Sequence, residues 1–412
     1  MYKATERQVG ICMFVSILSL KLLIYPALVA RYAQNNAYLS VVLSFMIEMF
    51  FTIVMISAMK KNPDKTIKDI MESVFGKIFS RFIFLLLFLY FIAKAVLAMK
   101  ECHNFFFVLL YDQLDWYYFI IPILTLAWFV LNKGVKSYSR SIELCFVIIV
   151  LGTITSIFLS ITKVEIDNFL PFLQNGFAPV ANATITTNFG FGDYLILVLF
   201  AGNIKYENKS ARKIYKYIII ADLVVIFFHT VFVGIFGDVS VMQALAVSDL
   251  PMQSQVPLDD GRLEWLNIIV WTVTLILQIL LMLLCSKCML KNIFTVKHES
   301  LYNAIIITIV IVCMYGLYFS LAQGVKIVIS PYFFISSVVI QVLVPSLYLI
   351  ASTIFKNKQQ SAFTKTKNKK VKAWNNFSEN LLKTKLGLCF YFWLLCFSQK
   401  HFIEKQSRIL GQ

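Results

Sequence analysis

Ten stretches of the chain stay apolar long enough to cross the hydrocarbon core of a bilayer, which takes about 20 helical residues. They run roughly 8–30, 38–59, 82–108, 117–132, 142–162, 182–204, 217–237, 264–286, 302–321 and 332–355, the fourth short and the third long. The pattern predicts an all-α integral membrane protein of about ten transmembrane helices over residues 1–355.

The connectors alternate in charge, and this fixes an expected orientation. Those on one side carry nineteen Lys and Arg, from Lys3 and Arg7 through the 60–81, 133–140 and 205–216 clusters to Lys287, Lys291 and Lys297. Those on the other side carry four, Arg31, Lys163, Arg262 and Lys326. Basic loops stay on the cytoplasmic side, so the N-terminus is expected there, and an even number of spans returns the C-terminus to it. Residues 60–81 place Ile67, Ile70, Met71, Val74, Phe75, Ile78 and Phe79 at helical spacing between lysines, which predicts a helix lying at that interface. Residues 356–412 read as a basic cytoplasmic tail, a disordered linker followed by a short apolar segment at 386–398 that anchors at the interface or forms an eleventh span.

Composition agrees with the pattern: 59% of the 412 residues are hydrophobic and only 15% charged, with a mean hydropathy of +0.75. A soluble domain of this size carries far more surface charge. The formal charge of +16 resides in the connectors and the tail, so it reports topology, and no nucleic-acid partner is expected; the lipid bilayer is. The first apolar stretch is too long for the core of a secretory signal and no small-residue cleavage site follows it, so it is expected to be retained. Of eight Cys, only Cys285 and Cys288 form a C-x-x-C, with no second pair, and the four His are not closely spaced, so neither a metal nor another cofactor is expected. Hydrolase, metalloprotease and P-loop motifs are missing from the sequence, which argues against an enzyme.

Four charges stand near the midpoints of their spans: Lys21 in the first, Glu48 in the second, Lys94 in the third and Asp193 in the sixth. His229 and Gln278 are weaker candidates in the seventh and eighth. A charge at the bilayer centre costs about 2.5–3.5 kcal/mol even on the insertion scale, so such residues face a cavity or a partner. Two cations and two anions allow a buried ion-pair network that only lets the bundle pack. They also allow a working site in which Lys21 binds a carboxylate or replaces a coupling cation, and Glu48 or Asp193 carries a proton. Glu101, seven residues beyond Lys94, lies on the same helical face and extends this ladder of charge.

The spans bearing Lys21 and Asp193 also carry interruptions. Pro26 removes a backbone donor in the first, and Asn188-Phe189-Gly190-Phe191-Gly192-Asp193 puts two glycines inside the sixth. Spans one and six are related by a shift of five, and paired broken helices mark the binding site of transporters built from inverted repeats.

With these features in place, the chain resembles the spore germination permeases, the membrane B subunits of nutrient germinant receptors within the amino acid-polyamine-organocation superfamily. The carriers are the TERQVG opening, Pro26, NPDKTIKDIMESVFGK at 62–77, NKGVKSYSRSIEL at 132–144, FLPFLQNGFAPV at 169–180, FGFGDYLIL at 189–197 and GRLEWLNIIVW at 261–271. The resemblance covers residues 3–355 and implies two inverted five-helix repeats with helices 1 and 6 broken. It implies a small amino-acid-like ligand at Ser19, Lys21, Leu22 and their neighbours through Leu23, and at Phe189, Gly190, Phe191, Gly192 and Asp193; Glu48 and Lys94 are the intramembrane charge partners expected from their depth. It further implies other receptor subunits as partners, the inner spore membrane as location and germinant sensing as role; the alternative is a proton-coupled amino acid permease. One departure matters. The family commonly has a glycine-rich stretch before the proline, where this chain has Ser19-Leu20-Lys21-Leu22-Leu23, so Lys21 either meets the ligand's anion or stands in the ligand's place.

Overall fold

Thr5 decides where the first helix begins. Its hydroxyl accepts from the Gln8 amide while the Gln8 side chain accepts from the Thr5 amide, a reciprocal cap. The computed structural model describes residues 3–109, 115–204, 210–243, 246–252, 264–296, 298–318 and 330–382. Helix α1 (Glu6–Leu23) is buried along nearly its whole length. It stops at Ile24, and α2 (Tyr25–Ala33) restarts with Pro26 in its first turn, where the missing amide leaves the Leu22 carbonyl without its helical donor.

A second helix, α3 (Ala37–Lys61), follows and brings Glu48 into the interior on a face with Ser40, Ser44 and Thr52. Next comes the short helix α4 (Ile67–Phe75), capped by Thr66 and Asp69 and followed by Gly76 at a positive φ of 82°. It buries Ile67, Ile70 and Met71, three of the seven apolar positions of the stripe expected at 60–81. The membrane helices α5 (Lys77–Leu109), α6 (Trp116–Lys133) and α7 (Val135–Ser160) complete the first half.

The second half opens on α8 (Ala178–Thr186), which gives way to single 3-10 turns at Asn188–Gly190 and Asp193–Ile196 before α9 (Leu197–Phe200). The two arms of this pair meet at 51°. After it come α10 (Ser210–Phe236), the short α11 (Ala246–Met252), α12 (Glu264–Ile293), α13 (Glu299–Tyr318) and α14 (Pro331–Leu382). Outside helix and loop, the one β feature among the described residues is an isolated bridge between Ala4 and Ile204.

Among the described residues, eight helical stretches are long and apolar enough to cross a membrane, nine with the bent pair. Helix α1 is not among them, since its 18 residues include Glu6, Arg7 and Lys21, but the rest of it is largely apolar. The protein is thus a multi-pass membrane protein. Its core runs through α1, α5, α10 and α12, with α12 packed along α5 and α1 along α10. Side chains on the outer helices, such as Phe50, Leu151, Phe158 and Leu223, are more than half exposed, as a lipid-facing surface requires.

The chain divides into two units, Met1–Thr353 and Ile354–Gln412. In the second, residues through Leu382 are helical where composition suggests a disordered linker; Lys, Gln and Ala are good helix formers, and low complexity alone does not prevent a helix. The apolar segment at 386–398 lies outside the described residues.

Candidate functional site

The four mid-membrane charges converge. Lys21 reaches them from the last turn of α1, Glu48 from the middle of α3, Lys94 from α5, and Asp193 from the unwound stretch between α8 and α9. The Lys21 ammonium lies 2.8 Å from Glu48 Oε2 and 2.8 Å from Asp193 Oδ2, and Lys94 lies 3.0 Å from Asp193 Oδ1. None of the four side chains is more than 2% exposed, so they are shielded from water and their charges sum to zero. Lys21 also sits over the rings of Phe45 and Phe191, at 4.8 and 4.9 Å from their centroids, where the ring faces attract a cation.

The break in helix six explains why the cluster forms here. Gly192 adopts φ +107°, open to glycine and costly for other residues. The turn leaves the amides of Gly192 and Asp193 without helical acceptors, and Glu48 Oε1 takes both, at 3.2 and 2.8 Å. One carboxylate therefore serves the opened backbone with one oxygen and Lys21 with the other. Ser16 adds a fifth side chain, donating to Asp193 Oδ1 at 3.0 Å.

The carbonyls freed by the break have a separate partner. Gln341 of α14 donates through Nε2 to Phe191 O at 2.7 Å and Asn188 O at 3.2 Å, with the Tyr90 hydroxyl 3.1 Å away. The Tyr194 hydroxyl donates to the Gln341 carbonyl at 2.9 Å. Tyr25, the first residue of α2, lies against Gly190, where a Cβ would collide with its ring. Its buried hydroxyl has no hydrogen-bond partner among the described residues.

Of the residues singled out from sequence, Lys21, Glu48, Lys94, Phe191, Gly192 and Asp193 meet in this cluster. Phe189 packs beside it, its ring 5.6 Å from Tyr90 and 4.6 Å from Phe333. Ser19 turns its hydroxyl back to Ser16 O, and Leu22 is a buried apolar position of α1. His229 bonds within its own helix, to Val225 O. Glu101 accepts from Asn104 rather than joining Lys94, which is held by Asp193. Ser16, Tyr25, Tyr90 and Gln341 were not singled out from sequence. For Gln341 a signal was present, a lone amide inside the apolar run ISSVVIQVLVP.

The arrangement can hold a zwitterion's pair of charges but has no room for one as it stands. The adjoining cavity, lined by Ser44, Glu48, Asn188, Gly192 and Gln341 among others, measures about 20 Å³, enough for one water. No group of three or more His, Cys, Asp or Glu poised for a metal occurs among the described residues.

Comparison with known proteins agrees with this architecture. A family model described as "Spore germination protein" matches residues 3–317. The spore germination protein YndE of Bacillus subtilis (strain 168) is 22% identical over 324 residues, covering 76% of this chain and 84% of that protein. Among solved structures, a point mutant of the Eremococcus coleocola manganese transporter superposes with a TM-score of 0.56 at 11% identity over 85% of both chains. The same transporter in complex with an aromatic bis-isothiourea substituted compound superposes with a TM-score of 0.54 at 12% identity, again over 85% of both chains. That likeness shows the fold, a transporter architecture of two inverted five-helix repeats with the first helix of each half broken. Family and fold relatives alike are of permease or transporter type rather than enzymes.

Proposed function

This chain belongs to the spore germination protein family, and from that premise we propose that it is the membrane subunit of a germinant receptor, sensing an amino-acid-like nutrient and triggering germination. The observation that carries the reading is the ion pair at the helix break. Lys21 and Glu48 place an ammonium and a carboxylate 2.8 Å apart against opened backbone, the same two charges that an amino acid brings.

The buried cluster balances two cations against two anions, so a net anion or cation entering it would leave an uncompensated buried charge. A zwitterion would not. Its carboxylate can replace Glu48 on the amides of Gly192 and Asp193 or pair with Lys21, while its ammonium takes the carboxylate that is released. Because the cavity beside the cluster holds only about 20 Å³, this exchange requires helices one and six to move apart, and that movement is the signal passed to partner subunits. The setting that goes with this role is the inner membrane of the spore, with both termini cytoplasmic.

The test is thermal unfolding of the purified full-length protein with single amino acids, since a ligand at 100 times its Kd stabilises by about 2.7 kcal/mol. One or more amino acids should raise the midpoint, and the matching amides and N-acetyl derivatives, each lacking one charge, should not. Equal stabilisation by the charge-deficient analogues, or none by any amino acid, refutes the proposed site. The alternative, a proton-coupled amino acid permease, uses the same carboxylates, and counterflow of labelled amino acid in proteoliposomes is the result that would favour it.

A further inference from the structure

A cavity far larger than the one at the helix break lies elsewhere. A groove of about 630 Å³ lies between α1, α7 and α10, more than 20 times the volume beside Glu48. Phe14, Phe146, Val150, Ile154 and Ile157 form much of its wall, and Arg7, Lys213 and Lys216 stand at one end. We propose that this groove binds one anionic phospholipid, its acyl chain along the apolar wall and its phosphate at the three cations.

Length supports the assignment. From Lys213 to Val224 on α10, and from Phe146 to Ile157 on α7, the lining covers eleven helical steps, about 16 Å at 1.5 Å each. Half of a ~30 Å hydrocarbon core is about 15 Å, so the groove is as deep as one leaflet. It also faces outward. Ile154 is 57% and Ile220 42% exposed, as apolar side chains in contact with lipid are.

Charge supports it as well. Two anions share the basic end: Glu6 pairs with Lys213 at 2.8 Å and Glu143 lies 3.7 Å from Arg7. Lys216 is exposed and forms no ion pair among the described residues, leaving the rim one cation in excess. Basic pockets between transmembrane helices recognise anionic head groups in this way. Gly10 is part of the same arrangement, because a Cβ there would collide with the ring of Tyr217, which lines the groove beside Lys216.

The test uses the full-length protein with Ile154→Trp as a reporter on the groove wall, read against the parent protein. Brominated phosphatidylglycerol and brominated phosphatidylcholine are titrated in mixed micelles, and quenching of the added tryptophan is measured. Half-maximal quenching should need a several-fold lower mole fraction of the anionic lipid. Lys216→Glu should bring the two lipids within about twofold of each other, while Arg140→Glu, an equal charge change at an exposed position outside the groove, should keep the preference. Equal quenching by both lipids in the reporter protein overturns the proposal, as does equal loss of preference in the two charge variants. Relief of quenching by inorganic phosphate at constant ionic strength would assign the cations to a free anion and overturn it too.

Discussion

Removing the Lys21 charge tests whether the buried cluster is a coupled unit. Among the described residues, Lys21 is the one cation paired with Glu48 Oε2 and one of two paired with Asp193. In Lys21→Met the chain length and most of the packing against Phe45 and Phe191 are kept, but a net negative charge is stranded at 1% exposure. Breaking a buried pair from one side costs about 3–5 kcal/mol, a factor of about 10² to 10⁴ in the folding equilibrium. Glu48→Gln strands a positive charge instead. The Gln carbonyl oxygen can still accept from Gly192 and Asp193, while its amide turns two donors toward Lys21. Combining the two changes restores neutrality, with Lys94 and Asp193 paired and the Gln still on the opened amides. The double variant should therefore lose less than the sum of the two single losses, by a coupling of about 1–3 kcal/mol. Thermal unfolding in one detergent, with folded yield as a second readout, measures all three. A double variant whose loss equals the sum of the two single losses would refute the reasoning, because the two charges would then be independent.

Three further outcomes follow from the break in helix six. Gln341→Leu removes the donor to Phe191 O, while Asn188 O keeps the Phe191 amide at 2.9 Å, and should cost about 1–3 kcal/mol, seen as a lowered unfolding midpoint. Gly192→Ala should destabilise by about 1–3 kcal/mol, because φ is +107° and a Cβ would lie 2.6 Å from the Gln341 side chain; Gly316→Ala, where a Cβ meets nothing within 4 Å, is the matched control and should be near neutral. Tyr25→Phe deletes a buried hydroxyl with no partner among the described residues and should leave stability unchanged or raise it by up to about 1 kcal/mol; a clear loss would reveal a bond to that hydroxyl.

The spans were legible because lipid imposes one length on every crossing helix, and the interruptions because Pro26 and Gly192 have no cheap place inside a regular helix. The charges Lys21, Glu48, Lys94 and Asp193 announced themselves by being costly at that depth. Their pairing was not legible: it depends on how four helices rotate about their axes, and apolarity on nearly every side of α1, α3 and α5 gives no face to read. The same rotation decided against a Lys94 to Glu101 ladder. Those two residues share a face of α5, but Lys94 is drawn to Asp193 across the bundle, a stronger claim than a neighbour seven residues away. Gln341 went unnoticed because a neutral amide costs less in the membrane than a charge, and its importance comes only from the carbonyls that the distant break exposes.

Those carbonyls and amides also account for the departure at Ser19 to Leu23. A glycine-rich first helix would offer bare amides to an anion at its own break. Here α1 keeps bulky side chains up to Leu23 and breaks with a proline, so its interruption leaves the Leu22 carbonyl without its helical donor. The free donors lie across the site, at Gly192 and Asp193, and Glu48 already occupies them. Lys21 then has a physical reason to be a lysine: without a cation beside it, Glu48 would be a buried carboxylate supported by two amides alone. Lys21, Glu48 and the opened turn of helix six thus form one device, and changing any of its three parts changes what the other two can bind.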